Sequence, residues 1–343
     1  MPPLVVDLAG PLLWSTCPPA HRTVPCSSSV CKVANWYRSP ASCPYSDGGR
    51  PGSGDRGCAC AAYPYNPVSG QCGRGDVAAV PLAANATDGK NPLFPVSFSA
   101  FASCAPSGLL ASLPSGVAGV AGMSRLPLSL PSQVASSLKV ERQFALCLPA
   151  SGRGGDGAAI FGGGPFQLLA APPMEIAEGL RRNPVPLLKN PKNGAYYLRV
   201  TGIAVNLEAV PIRPRALELE VPPFRPDVYR ALLGAFRRGH VGYPKRGGAK
   251  AVRDVLPGLR VRKTRLGFAV ANIDLVLGGG RNWTLPGGSS LVQVDEQTVC
   301  FAFLEMMGTS PAAADSPAIV IGGFQMENNL LLFDLEKGTL GIR

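Results

Sequence analysis

The stretch VVDLAGPLLWSTC, residues 5–17, is the most informative segment of this chain. An apolar run predicts a strand that ends at Asp7, a short turn follows, and Trp14 comes seven residues after the Asp. A carboxylate delivered to a turn by a strand is a candidate catalytic group. Leu8 and Ala9, which follow it directly, decide whether Asp7 is a catalyst or the remnant of one.

The composition outside this stretch predicts a mainly β fold. The 343 residues include 41 Gly and 35 Pro, which interrupt helices and serve turns and strand ends. Short apolar runs bounded by turn residues predict strands, among them VAAVPL, FPVSFSAF, AAIFGGG, AYYLRVTGIAV, LVQVDE, TVCFAFLEM, AIVIGG and LLLFDLEKGTLGI. The patterns predict two helices, over residues 129–140 and 226–238, and only sheet and loop elsewhere.

The cysteines indicate an oxidising compartment. Eight of the ten are crowded into the first third of the chain at irregular spacings, which is typical of disulfides: Cys17, Cys26, Cys31, Cys43, Cys58, Cys60, Cys72 and Cys104. Zinc is the competing interpretation, but the spacings fit no zinc-ribbon pattern and the chain has only 2 His. The sequence therefore predicts four disulfides within these eight residues, and no metal.

Secretion is also expected, although the N-terminus as written has no charged segment followed by a long apolar one. We therefore expect that the start is truncated. Two glycosylation acceptors, Asn85 and Asn282, agree with secretion. No run of about 18 apolar residues occurs, which argues against a transmembrane helix.

The chain is basic, with a formal net charge of +11. Lys and Arg are densest over residues 237–265, where Asp254 is the single acidic residue. Few aromatic residues alternate with these charges, which argues against nucleic-acid binding, and a solvated basic face is favoured. Attraction to cell-wall polysaccharide acids or to an acidic protein partner stays open.

Several motifs, in order along nearly the whole chain, resemble the pepsin-like aspartic protease family, and within it plant xylanase inhibitors of the TAXI type and basic seed globulins. They are DLAGPLLWSTC, PCSSSVC, AYPYNPVSGQCGRG, ANATDGKNP, CAPSGLLASLPSGVAGVAGMSRLPLSLPSQVA, LCLP, AIFGGGP and VIGGFQMENNLLLFDLEKGTLGI. The resemblance implies a bilobal pepsin-like double β-barrel with a few short helices. We expect an N-terminal lobe over residues 1–150, a connection over 151–190 and a C-terminal lobe over 191–343.

Both catalytic motifs of that family are degenerate here. Active members have Thr and Gly after the catalytic Asp, where this chain has Leu8 and Ala9, and no Asp-Thr-Gly or Asp-Ser-Gly occurs anywhere. The second site is expected between residues 203 and 226, a segment with Glu208, Glu218 and Glu220 but no Asp. Glu would displace the carboxylate by more than an ångström, which can cost about a hundredfold in rate. The sequence therefore predicts that this protein is not a protease.

Tyr65 matches the flap tyrosine of the family. Without a catalytic pair beneath it, we expect that its ring packs the base of its hairpin. His21 and His240 are isolated histidines, and FGGGP and LGGGR lack the spacing of phosphate-binding loops. No cofactor is expected.

The resemblance implies a secreted inhibitor of microbial xylanases that blocks the substrate cleft and acts in plant defence at the cell wall. Leu266, in the segment KTRLG over residues 263–267, is the candidate partner contact. The family continues past Arg343 with a tail that carries a histidine and a cysteine, so the resemblance also implies truncation at this end and impaired inhibition. Lost family cysteines imply that Cys147 and Cys300 are unpaired, or paired with each other.

Two other functions stay open, an aspartic endopeptidase by fold and a storage or structural homologue without inhibitory activity. We expect a monomer whose partner is a xylanase, a glycoside hydrolase, with no nucleic acid and no membrane.

Overall fold

The structure is a computed structural model. It describes residues 3–35, 58–87, 93–149, 157–168, 174–190, 193–213, 216–217, 226–239, 255–257, 263–264, 267–295, 298–305 and 317–343. In these ranges the chain is mainly strand, as the sequence predicts. No helix in them is long and apolar enough to cross a membrane.

The first sheet carries the Asp7 stretch. It has six strands in the order β1-β6-β2-β5-β4-β3, which are β1 Leu4–Asp7, β2 Leu13–Ser15, β3 Ala61–Ala62, β4 Gly75–Ala86, β5 Phe94–Cys104 and β6 Gly119–Gly122. β1 pairs in parallel with β6, and β2 in parallel with β5. The long β4–β5 hairpin is antiparallel throughout.

A second six-stranded sheet joins distant parts of the chain in the order β12-β11-β23-β22-β7-β8. Its strands are β7 Gln143–Cys147, β8 Ala158–Phe161, β11 Val185–Leu188, β12 Tyr197–Leu198, β22 Leu330–Asp334 and β23 Thr339–Ile342. The predicted hairpin LLLFDLEKGTLGI is β22 and β23, which pair in antiparallel register. The predicted lobe boundaries at residues 150 and 191 stay predictions.

The remaining described strands lie mostly in the second half. A four-stranded sheet has the order β14-β13-β18-β19 and a three-stranded sheet the order β15-β21-β20. Their strands are β13 Val200–Val205, β14 Glu208–Ala209, β15 Val255–Pro257, β18 Ile273–Leu277, β19 Arg281–Leu285, β20 Leu291–Asp295 and β21 Thr298–Phe301. Two short pairs complete the set, β9 Gln167–Leu168 with β10 Met174–Glu175, and β16 Lys263–Thr264 with β17 Gly267–Phe268. All these described sheets are open.

Both predicted helices are present. The first is α2, Leu130–Leu138, which ends where Lys139 adopts a left-handed conformation with φ 58°. The second is α4, Pro226–Arg238, as predicted. Five further short helical segments make the prediction of sheet and loop elsewhere wrong: α1 Ser29–Ala34, α3 Ala177–Arg182, α5 Gly287–Ser290, α6 Gly323–Met326 and the 3-10 turn Ser107–Leu110. They are shorter than the window in which helical periodicity shows in a sequence.

One predicted strand is also wrong. The run AIVIGG, residues 318–323, forms no strand, and α6 begins at its end. The Gln325 side chain accepts a hydrogen bond from the Gly322 backbone N–H at 3.3 Å. Two consecutive glycines followed by this cap turn the chain into a helix instead of a strand.

The largest apolar core gathers buried residues from the second half and from the shared six-stranded sheet. Phe144 and Phe333 stack at its centre with ring centroids 4.6 Å apart. A separate core in the first sheet is built around Trp14. Leu8 is half-buried and packs against the larger core, so the Asp7 loop is in contact with that core.

Candidate functional site

The loop after β1 holds Asp7 at a fixed position. Asp7 lies opposite Gly122 in the parallel β1–β6 pair. Its carbonyl oxygen accepts hydrogen bonds from the N–H of Gly10 at 3.1 Å and of Met123 at 2.8 Å. A Cβ on Gly10 would lie 2.8 Å from the Gly122 Cα and 3.0 Å from the Asp7 Oδ2, so only glycine fits. The tight turn that the sequence predicts is therefore built from these close contacts.

The Asp7 carboxyl has a hydrogen bond of its own. Its Oδ1 accepts the backbone N–H of Ala9 at 3.0 Å. Burial raises the pKa of Asp7 above its ordinary value of 3.8, and the backbone N–H groups of Ala9 and Gly10 oppose this rise. No described carboxyl is among the groups that set this pKa. A carboxyl in this setting can hold a proton, but hydrolysis of a peptide by this chemistry needs a second carboxyl that shares it.

Leu8 occupies the position at which a catalytic loop has a hydroxyl. Its side chain packs against the larger apolar core and has no group that could donate a hydrogen bond to the Asp7 carboxyl. The loop is thus fixed by apolar contact at the place where an active member of the fold would brace its carboxylate. Of the candidates for a second carboxylate, Glu208 lies exposed on β14, whereas Glu218 and Glu220 lie outside the described residues.

Tyr65 is held in place by contacts of its main-chain atoms. Its carbonyl oxygen accepts the indole Nε1–H of the buried Trp14 at 3.0 Å, and the residue forms an antiparallel bridge with Cys72. The adjacent Asn66 is fully buried and donates from Nδ2 to the carbonyl oxygens of Leu109 and Ala111, at 2.8 and 2.9 Å. These bonds fix the hairpin. The packing role of the Tyr65 ring stays a prediction.

The structure contains three disulfides between the predicted cysteines, Cys17–Cys104, Cys26–Cys58 and Cys31–Cys60. Cys72 is also disulfide-bonded, and Cys43 lies outside the described residues. Cys147 and Cys300 are free thiols, the first exposed and the second buried. They are therefore not bonded to each other.

The other predicted positions are the two glycosylation acceptors, the two histidines and Leu266. Asn85 on β4 and Asn282 on β19 are both exposed, as glycan attachment requires. His21 lies 3.8 Å from the Asp76 carboxylate in the first half, and His240 lies outside the described residues. Leu266 also lies outside them. No group of three or more His, Cys, Asp or Glu side chains that could hold a metal ion occurs in the described ranges.

A wide cleft of about 1290 Å³ opens beside the Asp7 loop. Leu8 and Ala9 line it from the first half, and strands β13, β18 and β19 line it from the second. Its walls are mostly apolar, and Asp274 is the acidic residue among the described lining positions. The sequence did not single out this Asp, because in the strand IDLVL an alternating polar residue indicates a solvent-facing position.

Tyr196 is a second residue that the sequence did not single out. Its hydroxyl donates to the carbonyl oxygen of Met123 at 2.6 Å, next to the Asp7 loop. The Arg125 guanidinium reinforces the contact by donating to the carbonyl oxygens of Asn193 and Ala195. These bonds span about seventy residues of chain, so no local pattern could have indicated them.

Comparison with known protein families matches two models to this chain. The model described as Xylanase inhibitor N-terminal matches residues 2–163, and the model described as Xylanase inhibitor C-terminal matches residues 195–343.

Individual relatives cover nearly the whole chain. A protein named Chitinase CLP, from Oryza sativa subsp. japonica, is 47% identical over 99% of this chain and 82% of its own length. A protein named Probable aspartic proteinase GIP2, from Nicotiana benthamiana, is 31% identical over 98% of this chain and 81% of its own length. The solved structure of edgp superimposes with a TM-score of 0.80 at 29% identity, over 99% of this chain and 87% of that one.

Proposed function

Because this chain belongs to the xylanase inhibitor family, a branch of the pepsin-like fold, we propose that it is a secreted, non-catalytic protein that inhibits microbial endo-xylanases by blocking the substrate cleft. The target is a glycoside hydrolase, and the inhibitor acts as a monomer in the plant cell wall as part of defence. Disulfides and exposed Asn85 and Asn282 agree with an extracellular location.

The Asp7 loop is the observation that supports the proposed lack of catalytic activity. Leu8 packs against the larger apolar core instead of bracing a carboxylate, and the pKa of Asp7 is set by burial and by the backbone N–H groups of Ala9 and Gly10. A lone carboxyl cannot both activate water and donate a proton to the peptide carbonyl. The protein would then act on its partner through its surface loops, not through a catalytic centre.

Inhibition is tested by titrating a β-jelly-roll endo-xylanase with the purified, oxidised chain and measuring the residual hydrolysis of xylan. Because the resemblance implies impaired inhibition, we expect activity to fall only when the chain is in excess over the enzyme. Leu266→Ala should weaken inhibition by about thirtyfold if Leu266 fills a sugar subsite. Leu207→Ala is the matched control, because Leu207 is 84% exposed at another site. Unchanged xylan hydrolysis at micromolar chain would overturn the proposal.

The relative named Chitinase CLP favours a second candidate, hydrolysis of chitin oligosaccharides. Glycoside hydrolysis generally needs two carboxyl groups on either side of the bond. In the cleft, Asp274 is the acidic residue among the described lining positions, and one of its oxygens is bonded to Thr284. Release of reducing ends from chitin oligosaccharides by the purified chain, lost in Asp274→Asn, would favour this candidate over inhibition.

Two further alternative functions can be tested with the same purified protein. The relative named Probable aspartic proteinase GIP2 supports endopeptidase activity as an alternative function. Cleavage of denatured globin at acid pH by the purified chain would favour this alternative. A storage or structural homologue would show neither hydrolysis nor inhibition.

A further inference from the structure

One strand at the edge of the second six-stranded sheet has an open outer side. This strand is β8, Ala158–Phe161, which is last in the sheet order and pairs with β7 alone among the described strands. Its residues are Ala, Ala, Ile and Phe, of which the first three are exposed and the last is half-buried. β8 therefore presents an apolar, uncharged edge at the surface of the protein.

The hydrogen-bond register shows which main-chain groups of β8 point outward. The N–H of Gly162, directly after β8, donates to the carbonyl oxygen of Gln143 at 2.9 Å. Opposite residues of an antiparallel pair exchange both bonds at every second position, so the even-numbered residues of β8 face β7. The N–H and C=O groups of Ala159 and Phe161 then point away from the sheet, and none of the residues that the structure describes bonds to them.

Other edge strands in the described ranges have features that disfavour pairing with another chain. Charged side chains, proline and bulges are the usual protection of a sheet edge. For edge strands of three or more residues these features are Asp7 at the end of β1, Pro257 in β15, Arg281 at the start of β19, and Asp295 after a register shift in β20. β8 has none of these features, so its edge is open to a further strand.

The side chains beside this edge form an apolar surface on both faces of the sheet. Phe161 packs against the largest core, and its ring centroid lies 6.2 Å from that of Phe144. Ile160 points to the opposite face, where it pairs in register with the buried Ala145, and it is 37% exposed. A strand laid along β8 would therefore cover Ile160 on one face and the rim of the Phe161 ring on the other.

We propose that β8 binds an extended peptide segment of a protein partner, which adds an antiparallel strand to this sheet. Each pair of neighbouring strands in the sheet is antiparallel, so an antiparallel addition continues the existing hydrogen-bond pattern. The segment is held by main-chain bonds to Ala159 and Phe161, and it is free of charge and proline where it lies beside them. The site is separate from the Leu266 segment that we propose for xylanase, so its test does not depend on that function.

The test uses a short acetylated and amidated peptide in which Val and Thr alternate, with a Lys at each end for solubility. Binding of its fluorescein-labelled form to the full, oxidised chain is measured by fluorescence anisotropy. A control peptide of the same sequence carries N-methyl groups on its central amides, which therefore cannot donate. We expect this control to bind at least about tenfold more weakly, because it keeps the apolar side chains but loses the main-chain bonds.

Variants of β8 locate the binding site. Ala159→Pro removes one of the outward N–H groups and leaves the bonds to β7 intact, since proline is tolerated where the N–H faces outward from an edge strand. Ile160→Lys places a charge on the same edge, and each variant should weaken binding at least about tenfold. Val294→Lys is the matched control, because Val294 is 59% exposed on β20, the edge of another sheet, and it should leave binding unchanged. Thermal unfolding verifies that the three variants are folded.

Hydrogen exchange measured by mass spectrometry reports directly on the edge. Bound peptide should slow the exchange of residues 158–163, and unchanged exchange in this segment overturns the proposal. Equal binding of the two peptides overturns it too, as does absence of binding at millimolar concentration. Sedimentation of the chain alone tests the other occupant, because a dimer that Ile160→Lys dissociates would show that β8 pairs with a second copy and would overturn the peptide partner.

Discussion

Tyr196 donates a hydrogen bond to the carbonyl oxygen of Met123, and the N–H of Met123 donates to the carbonyl oxygen of Asp7. The first bond is 2.6 Å long and the second 2.8 Å. A residue of the second half is therefore connected through one residue, Met123, to the loop that carries Asp7. The rigidity of the Asp7 loop then depends on contacts between the two halves of the chain as well as on its own turn.

The first prediction concerns this bond. Tyr196→Phe keeps the ring, whose centroid lies 4.8 Å from that of Phe333, but leaves the Met123 carbonyl without its partner. We expect the free energy of unfolding to fall by about 1–2 kcal/mol, as for other buried hydrogen bonds. Urea unfolding of the two proteins measures the change. Tyr196→Leu should cost more, because it also removes the ring contacts, and equal stability of all three proteins would contradict a structural role for Tyr196.

The second prediction concerns Leu8. Its side chain is half-buried against the larger core, so Leu8→Ala should lower the free energy of unfolding by about 1–2 kcal/mol. Leu207→Ala is the control, because Leu207 is 84% exposed and its truncation should change stability by less than about 0.5 kcal/mol. Denaturant unfolding curves of the two variants decide the matter. Similar curves would mean that Leu8 does not hold the Asp7 loop against the larger core.

The sequence indicates the Asp7 loop well because the loop is local. Strand, acid, turn and glycine are all within residues 4–10, although the contact that requires the glycine also involves Gly122 on β6. Asp274 and Tyr196 are different cases, because their roles arise from strands and loops that meet only in the folded chain. The strand IDLVL shows Asp274 as an alternating polar residue, and only the packing around β18 shows that it is buried. The short helices could not be predicted for a different reason, because four to six residues are too few to show a helical period in the sequence.

The third prediction is a pH dependence. The pKa of Asp7 is raised by burial above 3.8, so the folded state holds this proton at pH values where the unfolded state has lost it. Stability from this residue therefore falls as the pH rises from the unfolded to the folded pKa, and does not change further above it. Asp7→Asn removes the ionisable carboxyl and therefore removes this loss of stability with rising pH. The variant should gain stability relative to the parent at about pH 7, and less or none at about pH 3, in thermal unfolding at both pH values.

An equal effect of Asp7→Asn at the two pH values would show that Asp7 titrates alike in the folded and unfolded chains. A larger gain at low pH would reverse the sign and contradict burial as the dominant cause.

The fourth prediction distinguishes the two free thiols. Cys147 is exposed and Cys300 is buried, and burial together with the nearby Asp295 raises the pKa of the Cys300 thiol. Because the thiolate is the reactive form, iodoacetamide should label Cys147 in the native protein at least about tenfold faster than Cys300. Mass spectrometry of peptides after timed quenching measures both rates. In denaturant without reductant, both residues should be labelled, and failure of both to react would mean that they are bonded to each other.

The same experiment tests the first-lobe disulfides. Cys17, Cys31 and Cys60 are bonded in the structure and should stay unlabelled in denaturant until reductant is added. Cys147→Ser serves as the control, because it should remove one label and leave the others unchanged.

The last prediction is that restoring the catalytic triplet does not restore catalysis. Leu8→Thr with Ala9→Gly recreates the Asp-Thr-Gly of an active loop around Asp7, yet no second Asp-Thr-Gly or Asp-Ser-Gly exists in the 343 residues. One carboxyl cannot serve as base and acid on the same peptide bond, so neither the parent nor the double variant should cleave denatured globin between about pH 3 and pH 5, the range in which carboxyl pairs share a proton. Peptide release is followed by mass spectrometry with pepsin as the positive control. Hydrolysis by the double variant that pepstatin blocks and that Asp7→Asn abolishes would show that one of the glutamates of residues 203–226 completes the pair, and that the loss of activity in this chain resides in Leu8 and Ala9 alone.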